Sequence, residues 1–266
     1  MRIGLPNISE QVYKEDLSRI FEKNYPIIGP IWVTHQTEWL NSIYASFKNH
    51  DKFLILIYLI KKTLDFYSKN LVKLSYNEFY SKDTVEIEKF NVSEISKNIV
   101  IPKESARRKI IELENSYAIL RTSKKIIIDR SSFPFVKPIN SIRRISRFLS
   151  IFSKMLVEEN ILKKQLSSEE LEKTIKENFS LVWKAYYELQ IPMMISYKKI
   201  FGDLETFHIY GTCLVNQHIY SKEHGGSNLT KSEFVESIFS SLETQGLNAM
   251  SISDITGIPR ATVVRK

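Results

Sequence analysis

Forty residues, Asn91 to Arg130, constrain this chain more tightly than any others: NVSEISKNIVIPKESARRKIIELENSYAILRTSKKIIIDR. Asn91 stands three residues before Glu94, the spacing at which an N-cap side chain and a carboxylate one turn on satisfy the first free amides of a helix. Ile95 and Ile99 fall on one face of that short helix. Pro102 restarts the helical pattern, because its φ is already set and no amide is missed in a first turn. Beyond it Ala106, Ile110 and Leu113 recur at i, i+4 and i+7 as one buried stripe. Lys103, Glu104, Ser105, Arg107 and Arg108 occupy the opposite face. Tyr117–Arg121 and Ile126–Ile128, separated by the polar turn Thr122–Lys124, predict a two-stranded hairpin.

Helix, turn, basic helix and basic hairpin in that order form a winged helix-turn-helix pattern. At these residues the chain resembles the winged-helix transcription regulators of bacteria, of the IclR-like and MarR-like kind. A shorter likeness recurs at Met250–Lys266, where Thr256-Gly257-Ile258-Pro259-Arg260-Ala261-Thr262-Val263 is similar to the turn and recognition-helix start of such regulators. In these families the second helix lies in the major groove and its first side chains reach base edges. The resemblance gives that role to Lys103, Ser105, Arg107 and Arg108 in the first copy, and to Arg260, Thr262 and Arg265 in the second. Arg121, Lys124 and Lys125 would form the wing, against phosphate or minor groove. Pro102 and Pro259 are each followed by a base at +1, Ser or Thr at +3, and Arg-Lys at +6 and +7. The turns are expected to differ, since Ile95 precedes its proline by seven residues and Ile255 by four. Helix-turn-helix shapes also serve as protein-contact modules, and a basic helix face is often only a solvated one.

The implied fold class is mainly α: two tandem helical units, each with a winged helix-turn-helix, and a small hairpin wing in the first. Ser131 to Pro138, with two prolines in five residues, marks the boundary between residues 1–130 and 141–266. Helices are expected over Glu15–Phe21, Thr34–Phe47, Phe53–Tyr67 and Ser141–Glu159, with breaks at Asn24-Tyr25-Pro26 and Gly29-Pro30. Ser167 with Glu170, Thr230 with Glu233 and Ser251 with Asp254 read as capping boxes, and Pro192 as the end of a helix. An internal duplication is suggested by Pro26 and Pro192, each seventeen residues before an Ile-Tyr pair, Ile43-Tyr44 and Ile209-Tyr210. The second copy stops at Lys266, two turns into its recognition helix and without a wing, which is what a fragment would give.

A formal charge of +8 and a pI near 9.3 favour a polyanionic partner, nucleic acid first and an anionic membrane surface second. The lone Cys213 excludes an internal disulfide and a Cys-rich zinc finger and suits a reducing cytoplasm. The N-terminus lacks a signal-peptide core, and Phe53–Ile60 is too short to span a bilayer, so no membrane partner is expected. His208, Cys213 and His218 are spaced by five, about 140° apart round a helix and poor for one metal. Gly225-Gly226 lacks the Gly-Lys-Ser/Thr of a phosphate loop, and no carboxylate pair stands out. The expectation is therefore a non-enzymatic, cofactor-free protein that binds double-stranded DNA sequence-specifically as a transcription regulator. A plasmid-type replication initiator, which also pairs two winged helices, and a protein-interaction scaffold are the rivals. The N-terminal helices would either support the reading head or form a homodimer interface.

Overall fold

The computed structural model describes residues 12–87, 90–122, 126–129, 137–224, 229–240 and 246–266. Among them run α1 (Lys14–Lys23), α2 (Tyr25–Phe47), α3 (His50–Lys69), α4 (Tyr76–Phe79), β1 (Thr84–Ile87), α5 (Val92–Asn98), α6 (Lys103–Asn115), β2 (Ile119–Arg121) and β3 (Ile126–Asp129). There follow α7 (Ile139–Glu158), α8 (Ser168–Glu177), α9 (Phe179–Phe201), α10 (Leu204–His224), α11 (Lys231–Ser240), α12 (Ala249–Thr256) and α13 (Arg260–Arg265). The chain is mainly helical, with one small three-stranded antiparallel sheet. It divides into two compact units, each drawn from three stretches. Most of the boundary expected at 131–138 lies outside the described residues.

The first unit takes in Met1–Thr37, Asn140–Glu172 and Cys213–Leu247. Its core sets Ile20 and Ile28 against Met155 and Leu156, with Leu17, Phe21, Phe148 and Phe152 packed around them. The stripe read along Ser141–Glu159 accounts for this, since a helix with one apolar face must bury it. Glu159 closes the edge by accepting from Arg19 at 2.8 Å and Lys23 at 2.5 Å. Those two cations hold its carboxyl far below the usual range, at about 2.

The second unit takes in Glu38–Ile139, Lys173–Thr212 and Asn248–Lys266. Its axis is α3, buried through Phe53, Leu54, Ile55, Leu56, Ile57, Leu59, Ile60 and Leu64 and packed on α9. Aromatic rings extend the core: Trp39 meets Phe53 and Tyr186 edge-on, and Trp183 stacks on Tyr186 with centroids 4.6 Å apart. The hairpin lies where expected, with Ile119 opposite Ile128 and Arg121 opposite Ile126. The sequence reading missed its third strand. β1 pairs with β3, Val85 opposite Ile128 and Ile87 opposite Ile126, and buries alternate residues.

The break expected at Asn24-Tyr25-Pro26 falls at Asn24, the C-cap of α1, but the prolines themselves break no helix. α2 runs unbroken through Pro26 and Pro30, and α9 through Pro192. Pro26 sits in a first turn, where its amide is not needed. Pro30 and Pro192 each forfeit one bond of a 23-residue helix whose buried faces hold it together. Ser196 Oγ donates to the Pro192 carbonyl at 3.0 Å. The helix expected to start at Ser167 instead breaks at Asn178, between α8 and α9. Pro26 and Pro192 therefore occupy unlike places in their helices, and the seventeen-residue spacing does not pair equivalent positions.

Candidate nucleic-acid interface

Asn91 caps α5, its Oδ1 accepting from the Ser93 amide at 2.9 Å. Glu94 turns toward α3, where Lys62 donates to it at 2.8 Å and the Tyr58 hydroxyl at 3.0 Å. The Lys62 bond does most to keep the Glu94 carboxyl below its ordinary value. After α5 the chain turns at Val100, whose φ is +52°. The turn is locked by Ser96 Oγ donating to the Ile101 carbonyl at 2.7 Å. Pro102 is the N-cap of α6, at φ −55° and ψ 140°, so the helix begins at Lys103, one residue later than the start assigned from sequence. Ile95, Ile99, Ile101, Ala106, Ile110 and Leu113 are all buried beneath.

The C-terminal pair of helices repeats this geometry atom for atom at several points. Asn248 Oδ1 accepts from the Met250 and Ser251 amides at 3.0 and 2.9 Å, so Asn248 and not Ser251 caps α12. Gly257 has φ +70°, and Ser253 Oγ donates to the Ile258 carbonyl at 2.7 Å. Pro259 caps α13 at φ −54° and ψ 135°. Ile252, Thr256, Ile258 and Val263 are buried where the first pair buries Ile95, Ile99, Ile101 and Ala106. The two turns are thus equal in length. The counterpart of Ile95 is Ile252, and Ile255 is 49% exposed, which corrects the difference expected from sequence.

Both second helices are anchored by a lysine. Lys109 Nζ donates to Asn49 Oδ1 at 3.0 Å and lies 3.8 Å from Asp51. Lys266 Nζ donates to Asp203. Asn49 is the N-cap of α3, accepting from the Lys52 amide at 3.1 Å, and Asp203 accepts from the Thr206 amide at 2.8 Å just before α10. Burial alone would raise the Asp203 carboxyl, but Lys266 and the Thr206 bonds outweigh it and hold it down.

Lys109 is buried by its anchor, whereas the other cations of the two second helices, Lys266 included, are exposed. Lys103, Arg107 and Arg108 are exposed, and Ser105 is half-buried. The nearest carboxylates stand 4.0 Å away, Glu104 from Arg107 and Glu112 from Arg108, separations at which exposed pairs contribute little. Arg121 is engaged differently: Glu114 accepts from two of its guanidinium nitrogens, which raises its pKa. Lys124 and Lys125 lie outside the described residues. In the second pair Arg260 and Arg265 are exposed and Thr262 is half-buried. Arg265 donates to the Ala261 carbonyl at 3.0 Å and to Thr262 Oγ1 at 3.3 Å.

A buried polar chain lies in the same unit. His50 Nε2 is 3.2 Å from His208 Nδ1, His208 Nε2 is 2.6 Å from Asn41 Oδ1, and Glu205 sits 3.4 Å from His50 Nδ1. Burial, helped by the neighbouring His50, pushes His208 down to about 3. Among the described residues no three His, Cys, Asp or Glu side chains are grouped to hold a metal ion, and no helix is long and apolar enough to cross a membrane. No protein-family model, curated protein or solved structure matches the chain.

Proposed function

We propose that residues 91–130 with β1 form a winged helix-turn-helix, and that the chain binds double-stranded DNA sequence-specifically as a transcription regulator. One observation carries this reading. α6 buries one side completely and carries Lys103, Arg107 and Arg108 exposed on the other, where the carboxylates paired with Arg107 and Arg108 are themselves exposed and stand 4.0 Å off, too far to contribute much. Such a helix suits a groove: cations at its ends meet phosphate, and guanidinium groups reach guanine edges. The order of β1, α5, α6, β2 and β3 supports it, because strand pairing on both sides of β3 fixes the hairpin beside the second helix. The closing test is a gel-shift titration of Arg108→Ala against a selected duplex and its single-base variants. Arg108→Ala should relax preference at the bases it reads, by about 1–3 kcal/mol. Unchanged affinity and unchanged preference would refute the groove face.

The shared geometry of α5–α6 and α12–α13 favours one second reading, a replication initiator that pairs two heads in one chain. Bound sites clustered as repeats at an origin, in place of single sites at promoters, would select it.

A further inference from the structure

We propose that α6 and α13 are two unlike reading heads of one duplicated framework, so that a single chain recognises an asymmetric duplex: guanine and cytosine under α6, thymine under α13. This rests on the DNA-binding reading above. The duplication rests on geometry. α1 and α8 are ten residues each and α2 and α9 twenty-three, and their first residues are 154 apart in both pairs. At the same spacing Asn24 and Asn178 each donate from their amide groups to the carbonyl four residues back, at 2.9 and 2.8 Å. Lys48 and Gly202, again 154 apart, both have positive φ, and each precedes the residue, Asn49 or Asp203, that receives an anchoring lysine. From Asn91 and Asn248 to Lys109 and Lys266 the spacing is 157 throughout, through cap, serine lock, left-handed turn residue, proline and anchor.

On matched frameworks the outward residues can be compared position by position. A base stands one residue after each proline, Lys103 and Arg260, and an arginine six after, Arg108 and Arg265. Being shared, these cations give both heads the same contacts and do not distinguish one half-site from the other. The outward positions between them differ. Where α6 carries Glu104 and Arg107, both well exposed, α13 carries Ala261 and Val264, the latter 64% exposed. Arginine pairs in two-pronged fashion with guanine O6 and N7, and glutamate accepts from cytosine N4. Alanine and valine offer only apolar contact, which in the major groove means the thymine methyl. A dimer of identical heads reads a palindrome. Two unlike heads do not.

The experiment is selection of bound duplexes from a random pool by the full chain, by Glu104→Ala/Arg107→Val, and by Ala261→Glu/Val264→Arg. All four positions are exposed, and Glu104 and Arg107 are replaced together, so neither is left facing a lost partner. The full chain should select two unlike half-sites. Glu104→Ala/Arg107→Val should lose the guanine-bearing half and bind the original site roughly tenfold or more weakly, and the reciprocal variant should gain guanine in the other half. Selection of a palindrome by the full chain, or of the same site by all three proteins, overturns this inference while leaving DNA binding intact. No enrichment of any duplex at low salt overturns the DNA-binding reading itself.

Discussion

Acid should destabilise this protein well before its carboxylates protonate. Burial keeps three histidines neutral: His35, beside Arg144, and His208 at about 3, and His218, against the Phe234 ring, at about 4. In the unfolded chain each titrates near 6.5. The folded values lie below the unfolded ones, so the unfolded state binds more protons. The stability these groups contribute is complete above pH 6.5 and drains as pH falls toward 3–4. One pH unit below 6.5 costs about 1.4 kcal/mol per histidine, hence roughly 3 kcal/mol in the first unit, which holds His35 and His218, and about half that in the second, which holds His208. Against a typical stability of about 5–15 kcal/mol that is a large fraction. Carboxylates with lowered values, such as Glu159, act only below about 4.5, so pH 7.5 to 5.5 isolates the histidines. Urea titrations followed by tryptophan fluorescence across that window should give midpoints that fall steadily. Midpoints that stay level or rise on acidification would mean that these rings accept protons within the fold, and the burial argument would be wrong.

Lys109→Met keeps the aliphatic stem but removes the bond to Asn49, while Asp51 retains Lys198 at 2.8 Å, so calorimetry should record a loss of only about 1–2 kcal/mol. A loss above about 4 kcal/mol would mean that Asp51 depends on Lys109 alone. Gly257→Val places a β-branched residue at φ +70°, where the nearest atoms outside the local chain stand 4.0 Å from the new Cβ, so backbone strain of about 1–2 kcal/mol should dominate the cost. A neutral result in thermal melts would contradict the left-handed turn. Below pH 4.5 the pairing of Glu159 with Arg19 and Lys23 should also weaken, because its lowered carboxyl stabilises the fold only while ionised. Glu159→Gln should therefore flatten the acid limb between pH 4.5 and 2, and an unchanged limb would show that the ion pairs do not contribute.

Some of this architecture can be read directly from residue order. The stripes of α3 and α7 are long and uninterrupted, and a periodic apolar face leaves a helix no alternative. Proline is a local breaker and predicts boundaries inside α2 and α9, but each of these twenty-three-residue helices buries enough surface to tolerate the loss of one bond. β1 is four residues long, and only its alternation Thr-Val-Glu-Ile signalled it. The outward cations of α6 follow from helical spacing alone. The anchoring of Lys109 and Lys266 does not, since their acceptors lie sixty and sixty-three residues away at the starts of other helices. The register of the two helix pairs is ambiguous in sequence, since both Ile252 and Ile255 stand before Pro259 as possible partners of Ile95. Exposure of Ile255 and burial of Ile252 settle the alignment.

The central claim is that Lys103, Arg107 and Arg108 meet a phosphate-lined groove, and the salt dependence of duplex affinity tests it most directly. Fluorescence anisotropy with a selected duplex, repeated from about 50 to 200 mM salt, should give a steep linear fall of log affinity. Lys103→Ala/Arg107→Ala/Arg108→Ala should reduce the slope by between about one and three, according to how many of the three touch phosphate. A slope that is flat in the parent chain, or identical in the triple variant, would contradict the account.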